Sequence, residues 1–347
     1  MKALKELFDR IAQRVNINLR ELDFDVTPYI GDLISLEKMV KFYSFYGVTP
    51  HHPLNFVFRH SNLAGSYFLG KCRIANSILY KSDIRGDELK KQGDVVKYQQ
   101  FDIQVLRDEA IEIEDSFLIK TLVHNFSHDP ETLEKFFITN TVSTHYANIH
   151  GSPTDGSFLG PFATVDLTTM NDCVIGAFSY IQAGEIGHLR VAPGTVWVRV
   201  PGIFNFLYRY PADLLPHYIA FNRGAPPGGV LMDFVESRKS DFQELFDVVH
   251  MPPSISVPPT TSLDRYALVK PETHIGENVL VAQRAYLENA WLGKGANAQE
   301  NCYIINSTGI PHYIDSIGSI AMYSISVNIL LVSTNDSYTI TISPDYI

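Results

Sequence analysis

The residues predict a mainly-β chain wound as a parallel β-helix, and two observations carry that prediction. From about residue 60 onward, short apolar steps broken by Gly, Ala, Asn and Asp replace any helical period. Within them an aliphatic residue is followed by a small or polar one, and a further small residue stands four places after the first. Leu159-Gly160 with Ala163, Ile175-Gly176 with Ser179, Ile275-Gly276 with Val279, Val281-Ala282 with Ala285, and Leu292-Gly293 with Ala296 all obey this form. Each such hexad supplies one short strand and one corner: the aliphatic residue stacks inward on its equivalent one coil away, and the small residue lets the chain turn. Ile275, Val281, Leu287, Leu292, Ala298 and Ile304 hold the step through five intervals, one of them five residues long. The competing fold is an ordinary β-sandwich, which calls for period-two alternation. That alternation is clear only at Tyr338-Thr339-Ile340-Thr341-Ile342.

Residues 1–58 read as a helical extension. Leu4, Leu7, Phe8, Ile11 and Val15 recur at three-to-four-residue spacing among charges, the period of an amphipathic helix, and this helix is expected to cap the structure that follows. Residues 59–202 form the first β-helix. Residues 203–265 interrupt it as a connecting excursion, marked by Pro226-Pro227, Pro252-Pro253 and Pro258-Pro259, with a helix-like run from Met232 to Val249. Residues 266–306 form a second block of hexads, and 307–347 a strand-like tail that holds Asp315, Asp336 and Asp345 but no Lys or Arg.

Composition bounds the function. At roughly 150 residues per domain, 347 residues suggest two structural units. Hydrophobic residues at 45%, charged residues at 19% and a mean hydropathy of -0.01 exclude a disordered chain or a charged helical rod. A formal net charge of -10 gives no grip on phosphate backbones, so no nucleic-acid partner is expected. No apolar run approaches the ~18 residues of a bilayer span, and the start, MKALKELFDRIAQRV, lacks the uninterrupted apolar core of a secretion signal. No membrane partner is expected, and the cytoplasm is the expected compartment. Cys72, Cys173 and Cys302, an odd set at wide spacing, form neither a disulfide framework nor a CxxC site, so any metal falls to histidines.

Of the twelve histidines, three within the first hexad block form the candidate set: His124 in TLVHNFSH, and His145 and His150 in THYANIHG. Three imidazoles are the ligand number of a catalytic zinc site that keeps one position for water. Residues five apart on extended backbone are roughly 16 Å apart, so either a corner separates His145 from His150 or the ligands come from two chains. Satisfied histidines on a β-helix wall are the structural alternative. His128 precedes Asp129-Pro130, His51-His52 precede a proline, His188 follows Ile186-Gly187 and His274 precedes Ile275. All of these read as turn or surface residues, and Trp197 and Trp291 read as packing residues on strands.

The phrases Ile84-Arg85-Gly86-Asp87-Glu88, His145-x-Ala147-x-x-His150-Gly151 and Val191-Ala192-Pro193-Gly194-Thr195-Val196-Trp197-Val198-Arg199-Val200-Pro201 occur in that order. Over residues 60 to 202 the sequence resembles the γ-class carbonic anhydrases of the hexapeptide-repeat superfamily. The resemblance implies a left-handed β-helix and a homotrimer with sites at the subunit interfaces. Each site would hold Zn²⁺, or another divalent transition metal such as Fe²⁺ or Co²⁺, by His124 and His150 of one chain and His145 of the next. It implies an interface ion pair at Arg85 and Asp87, proton transfer by Glu88, and hydration of CO₂ to bicarbonate; Glu114 and Asp115 are further relay candidates by their nearness in sequence. The chain departs from that pattern in two places. Thirty-five residues separate Glu88 from His124, with Lys90 to Gln104 read as an inserted surface loop, and the polar segment usual before the first histidine is replaced by Ser116-Phe117-Leu118-Ile119-Lys120. Two other functions fit the same fold. One is a hexapeptide-repeat acyltransferase with an acyl-CoA-type donor and a single histidine base, and the other is a noncatalytic trimeric scaffold.

Overall fold

Aliphatic side chains at Leu159, Val165, Met170, Ile175, Ile181, Ile186 and Val191 are buried in one continuous core, stepping along the chain by six, five and five residues. Three such steps close one coil. The computed structural model describes residues 2–39, 44–47, 55–98, 100–124, 136–220, 224–238, 240–241, 256–264, 266–282, 284–298, 302–306, 308–309, 320–322, 332–334 and 337–339. They fall into two compact units, Met1–Asp233 and Phe234–Ile347.

The first unit is a left-handed parallel β-helix with three flat faces, sheets of nine, six and seven strands. Every strand pair within the coils is parallel, and in the uninterrupted coils equivalent positions lie sixteen residues apart, as Thr164 with Tyr180 and Thr154 with Met170 do; insertions widen the interval to 39 between Cys72 and Ile111 and to 25 between Phe117 and Val142. The hexad reading anticipates eighteen; two of the three sides in these coils are one residue shorter. The winding begins earlier than residue 59, because Phe45–Gly47 and Phe56–Arg59 already pair in parallel with Tyr67–Gly70 and Cys72–Ala75. Its last coil strand is Thr195–Val200, on which Phe204–Arg209 folds back antiparallel.

Corners are built from left-handed backbone and buried hydroxyls. Asn76, Asp115, Asn140, Gly156, Asp172 and His188 form one column at positive φ, and Lys81, Lys120, Tyr146, Phe162, Phe178 and Gly194 form another. Asn, Asp and Gly accept this conformation at little cost, whereas aromatic residues do so only where packing holds them. In the second column the rings hold one another: Phe162 and Phe178 stack with centroids 5.1 Å apart, and Tyr146 continues the ladder at 5.1 Å. Beside the first column, Ser61, Ser77, Ser116 and Thr141 form a ladder. The backbone N–H of each later residue donates to the hydroxyl one coil before it, at 3.1 Å in all three steps. Buried corner amides that no strand can satisfy are thereby paired.

The N-terminal helix, Lys2–Leu19, lies along a face of the prism instead of capping its end. Its buried stripe Ile11, Ala12, Val15 and Leu19 packs on Ile78, Phe117, Val142, Phe158 and Val174, the outward side chains of the six-stranded sheet. This explains the apolar segment before His124: Phe117 and Ile119 lie under the helix, and Leu118 points into the prism. The expected loop from Lys90 to Gln104 contains an antiparallel hairpin, Val95–Tyr98 with Phe101–Gln104.

In the second unit Ile275, Val281, Leu287, Leu292, Ala298 and Ile304 are buried in one cluster. Its coils are longer, with Leu280 eighteen residues after its partner Ser262 and Asn297 seventeen after Leu280. The helix expected over Met232–Val249 spans Val230–Ser237; residues 242–250 lie outside the described residues, as do His51, His52 and His128. Trp291, expected to pack, is 53% exposed and stacks on His274 with centroids 3.9 Å apart. In the tail, Val332–Thr334 pairs antiparallel with Ser337–Thr339.

Candidate functional site

Four polar residues form one row across the nine-stranded face. Arg85, His124, His150 and Asp166 are successive Cα partners on Asp83–Gly86, Leu122–His124, Asn148–His150 and Thr164–Asp166. Strand alternation sends their neighbours Ile84, Val123, Ile149 and Val165 into the core, so this row points outward. His150 Nδ1 lies 2.7 Å from Asp166 Oδ1, and the Tyr180 hydroxyl, one coil further on, donates to Asp166 Oδ2 at 2.7 Å. The His124 and His150 rings are 5.1 Å apart. His124 Nε2 stands 3.8 Å from Glu88 Oε2.

Arg85 and Asp87, expected to join two subunits, pair within one chain. The guanidinium donates through Nε at 3.3 Å and through a terminal nitrogen at 3.0 Å. Burial pushes the Asp87 carboxyl up, but the adjacent guanidinium outweighs it and holds the group below the usual carboxylate range. His145 is not in the row. It occupies the corner before Asn148–His150, is 1% exposed, and its Nε2 has no hydrogen-bond partner among the described residues. Burial, with the Lys120 ammonium nearby, pushes this imidazole down to about 3, so it is neutral. Glu114 and Asp115 belong to the seven-stranded side, where Asp115 pairs with Arg10 at 3.1 Å.

The His124 and His150 rings stand side by side on the face, whereas His145 is enclosed in its own chain. Among the described residues of one chain, no three His, Cys, Asp or Glu side chains gather to hold a metal. Asp166 and Tyr180 are site residues that the sequence reading passes over. The missing signal is the coil length: an eighteen-residue coil sets Thr168 beside His150, and a sixteen-residue coil sets Asp166 there.

Residues 101–223 match the family described as "Hexapeptide repeat including loop". This chain carries a hexapeptide-repeat domain. The hexapeptide-repeat chain is similar to a crystal structure described as a "putative acetyltransferase" from Desulfovibrio desulfuricans G20. Identity is 50%, the TM-score is 0.77, and the match covers 88% of this chain and 66% of that one. The present chain therefore spans just under two thirds of that relative's length. A Bacillus cereus structure described in the same words matches at 14% identity with a TM-score of 0.27, over 48% of this chain and 83% of that one. That likeness is too weak to bear on fold or function. No curated protein matches the chain. Among the described residues no helix is long and apolar enough to cross a membrane.

Proposed function

We propose that this hexapeptide-repeat protein is an acyltransferase whose general base is His150. The observation that carries the reading is the 2.7 Å contact between His150 Nδ1 and Asp166 Oδ1 on the nine-stranded face of the prism, and the likeness to the Desulfovibrio structure described as a "putative acetyltransferase" supports it. A carboxylate at Nδ1 orients the ring and leaves Nε2 to take a proton. The acceptor's hydroxyl or amine attacks the carbonyl of an acyl thioester while Nε2 removes its proton. The C–S bond then breaks, and the thiolate takes the proton from the imidazolium. The products are an acylated acceptor and a free thiol. The working unit is proposed to be a homotrimer, three times the 39.0 kDa chain.

The test is thiol release from acetyl-CoA by the full-length protein across hydroxyl and amine acceptors, with and without a chelator. Chelator-resistant release that His150→Ala reduces at least 100-fold is the expected result. No release with any acceptor overturns the reading and favours a scaffold.

A second reading, hydration of CO₂ at a zinc site, is favoured by the His124 and His150 pair and by the Nε2 of His145, which has no partner among the described residues. The metal would supply a Lewis acid for water. With His145 enclosed, the three imidazoles do not meet within one chain, and no step is built on the metal. Elemental analysis of anaerobically purified protein tests this reading. So does metal recovery when His124→Ala and His145→Ala chains are mixed, which rebuilds a site only if two chains share it.

A further inference from the structure

We infer that Tyr180 is a positioning residue for the base: by donating to one oxygen of Asp166 it fixes the other against His150 and so sets the tautomer of that ring. The inference rests on the acyl-transfer reading of the histidine row. Tyr180 lies on Tyr180–Gln182, where its Cα partner is Thr164. Its phenol reaches two residues along the neighbouring strand and meets Asp166 Oδ2 at 2.7 Å, while Oδ1 meets His150 Nδ1 at 2.7 Å. The three side chains come from consecutive coils, so the parallel ladder that sets coil spacing also sets these two distances.

The phenol can only donate here. Burial, then the charge and hydrogen bond of Asp166, push its ionisation far above the usual range for tyrosine. A carboxylate accepts from both sides, so a phenol O–H on Oδ2 leaves Oδ1 to accept an N–H from the ring. The hydrogen is then on Nδ1 and the lone pair on Nε2, as a base at that position requires. Without the phenol the carboxylate is free to turn about its Cβ–Cγ bond and the ring to lose its orientation. Outer partners that orient a metal-bound histidine are typically worth about 10- to 100-fold in activity, and the lower end of that scale is expected for this base.

The test reads the tautomer directly. Imidazole ¹⁵N spectra of the full-length protein, with the His150 signal assigned by its loss in His150→Gln, should show Nδ1–H in the wild type. Tyr180→Phe, which keeps the ring and removes one oxygen, should give a mixture of tautomers. Asp166→Asn should invert the preference: Tyr180 claims the amide oxygen, and the amide NH₂ is then left to donate to Nδ1. The double variant, Asp166→Asn with Tyr180→Phe, should recover Nδ1–H in part because the amide can turn back. In the acetyl-transfer assay, Tyr180→Phe should lower kcat about tenfold with KM unchanged. An unchanged His150 spectrum in Tyr180→Phe overturns the inference, whatever Asp166→Asn does. If the wild type transfers no acetyl group, the acyl-transfer reading falls, while the spectra still decide the role of Tyr180.

Discussion

Replacing Gly176 with alanine should disrupt the prism far more than its small volume suggests. A Cβ at this position would lie 2.4 Å from Pro193 N, 2.7 Å from Ala192 C and 2.8 Å from Pro193 Cα, all backbone atoms of the next coil. Ordinary contact requires those atoms to withdraw by roughly 1 Å, which is about a fifth of the ~4.8 Å spacing between neighbouring strands. That corner cannot withdraw alone, because Gly176 N donates to Val191 O at 2.9 Å and Gly194 N to Ala177 O at 2.9 Å. Overpacking against a tied backbone places the cost at about 3 kcal/mol. Two other glycines isolate the cause. Gly187→Ala would place its Cβ 3.7 Å from Asn171 O, an ordinary contact, and should gain about 0.4–1 kcal/mol through the unfolded chain. Gly184→Ala meets nothing within 4 Å but holds φ +75°, so it should lose about 1–2 kcal/mol through backbone strain alone. Urea unfolding of the three variants, followed by circular dichroism at 25 °C, gives the ranking. If Gly176→Ala proves no more costly than Gly184→Ala, coil-to-coil contact does not set the residue at this corner.

Ser116→Ala removes a fully buried hydroxyl that accepts from Thr141 N at 3.1 Å. It should cost about 1–3 kcal/mol and speed hydrogen exchange at the Thr141 amide. Acid should destabilise the protein through His145: the unfolded imidazole takes a proton near pH 6.5 and the buried one not until about 3. The unfolded state therefore binds more protons across that window, and stability drops as the pH is lowered, by up to ~1.4 kcal/mol per unit. Denaturation curves between pH 7 and 4 should show that slope, and His145→Gln should flatten it. Breaking the pair of Arg10 with Asp115 by Arg10→Ala should change stability by less than about 1 kcal/mol, because the arginine side chain is 55% exposed. Thermal unfolding measures it.

The winding was legible because its evidence is local. An inward Leu159 or Ile175 followed by Gly160 or Gly176 is a statement about one side of one coil, and both glycines do lie against the backbone of the next corner. Coil length is not local. It depends on how many residues each side spends turning, and a side of five reads almost like a side of six. That one-residue ambiguity hid Asp166 and Tyr180, since cross-strand neighbours follow only from the full circuit. The apolar segment Phe117 to Ile119 had the same difficulty in another form. Its meaning depends on a helix a hundred residues earlier in the chain, and no pattern within the segment announces that cover.

The hydroxyl ladder gives the prism a direction. Ser77 Oγ receives the amide of Ser116 from the following coil, while its own proton goes to Ala75 O within its own coil. Deleting that oxygen strands an amide downstream and leaves the upstream bond, from Ser77 N to Ser61 Oγ, intact. Damage in the stack is therefore vectorial: a lesion early in the column weakens the seating of what comes after it, and a lesion late in the column leaves the earlier courses as they were. Truncation from the C-terminal side removes donors and leaves hydroxyls that water can satisfy. Truncation from the N-terminal side removes the oxygens on which the next corner's amides depend, so the same number of residues lost at opposite ends of the column is not the same injury.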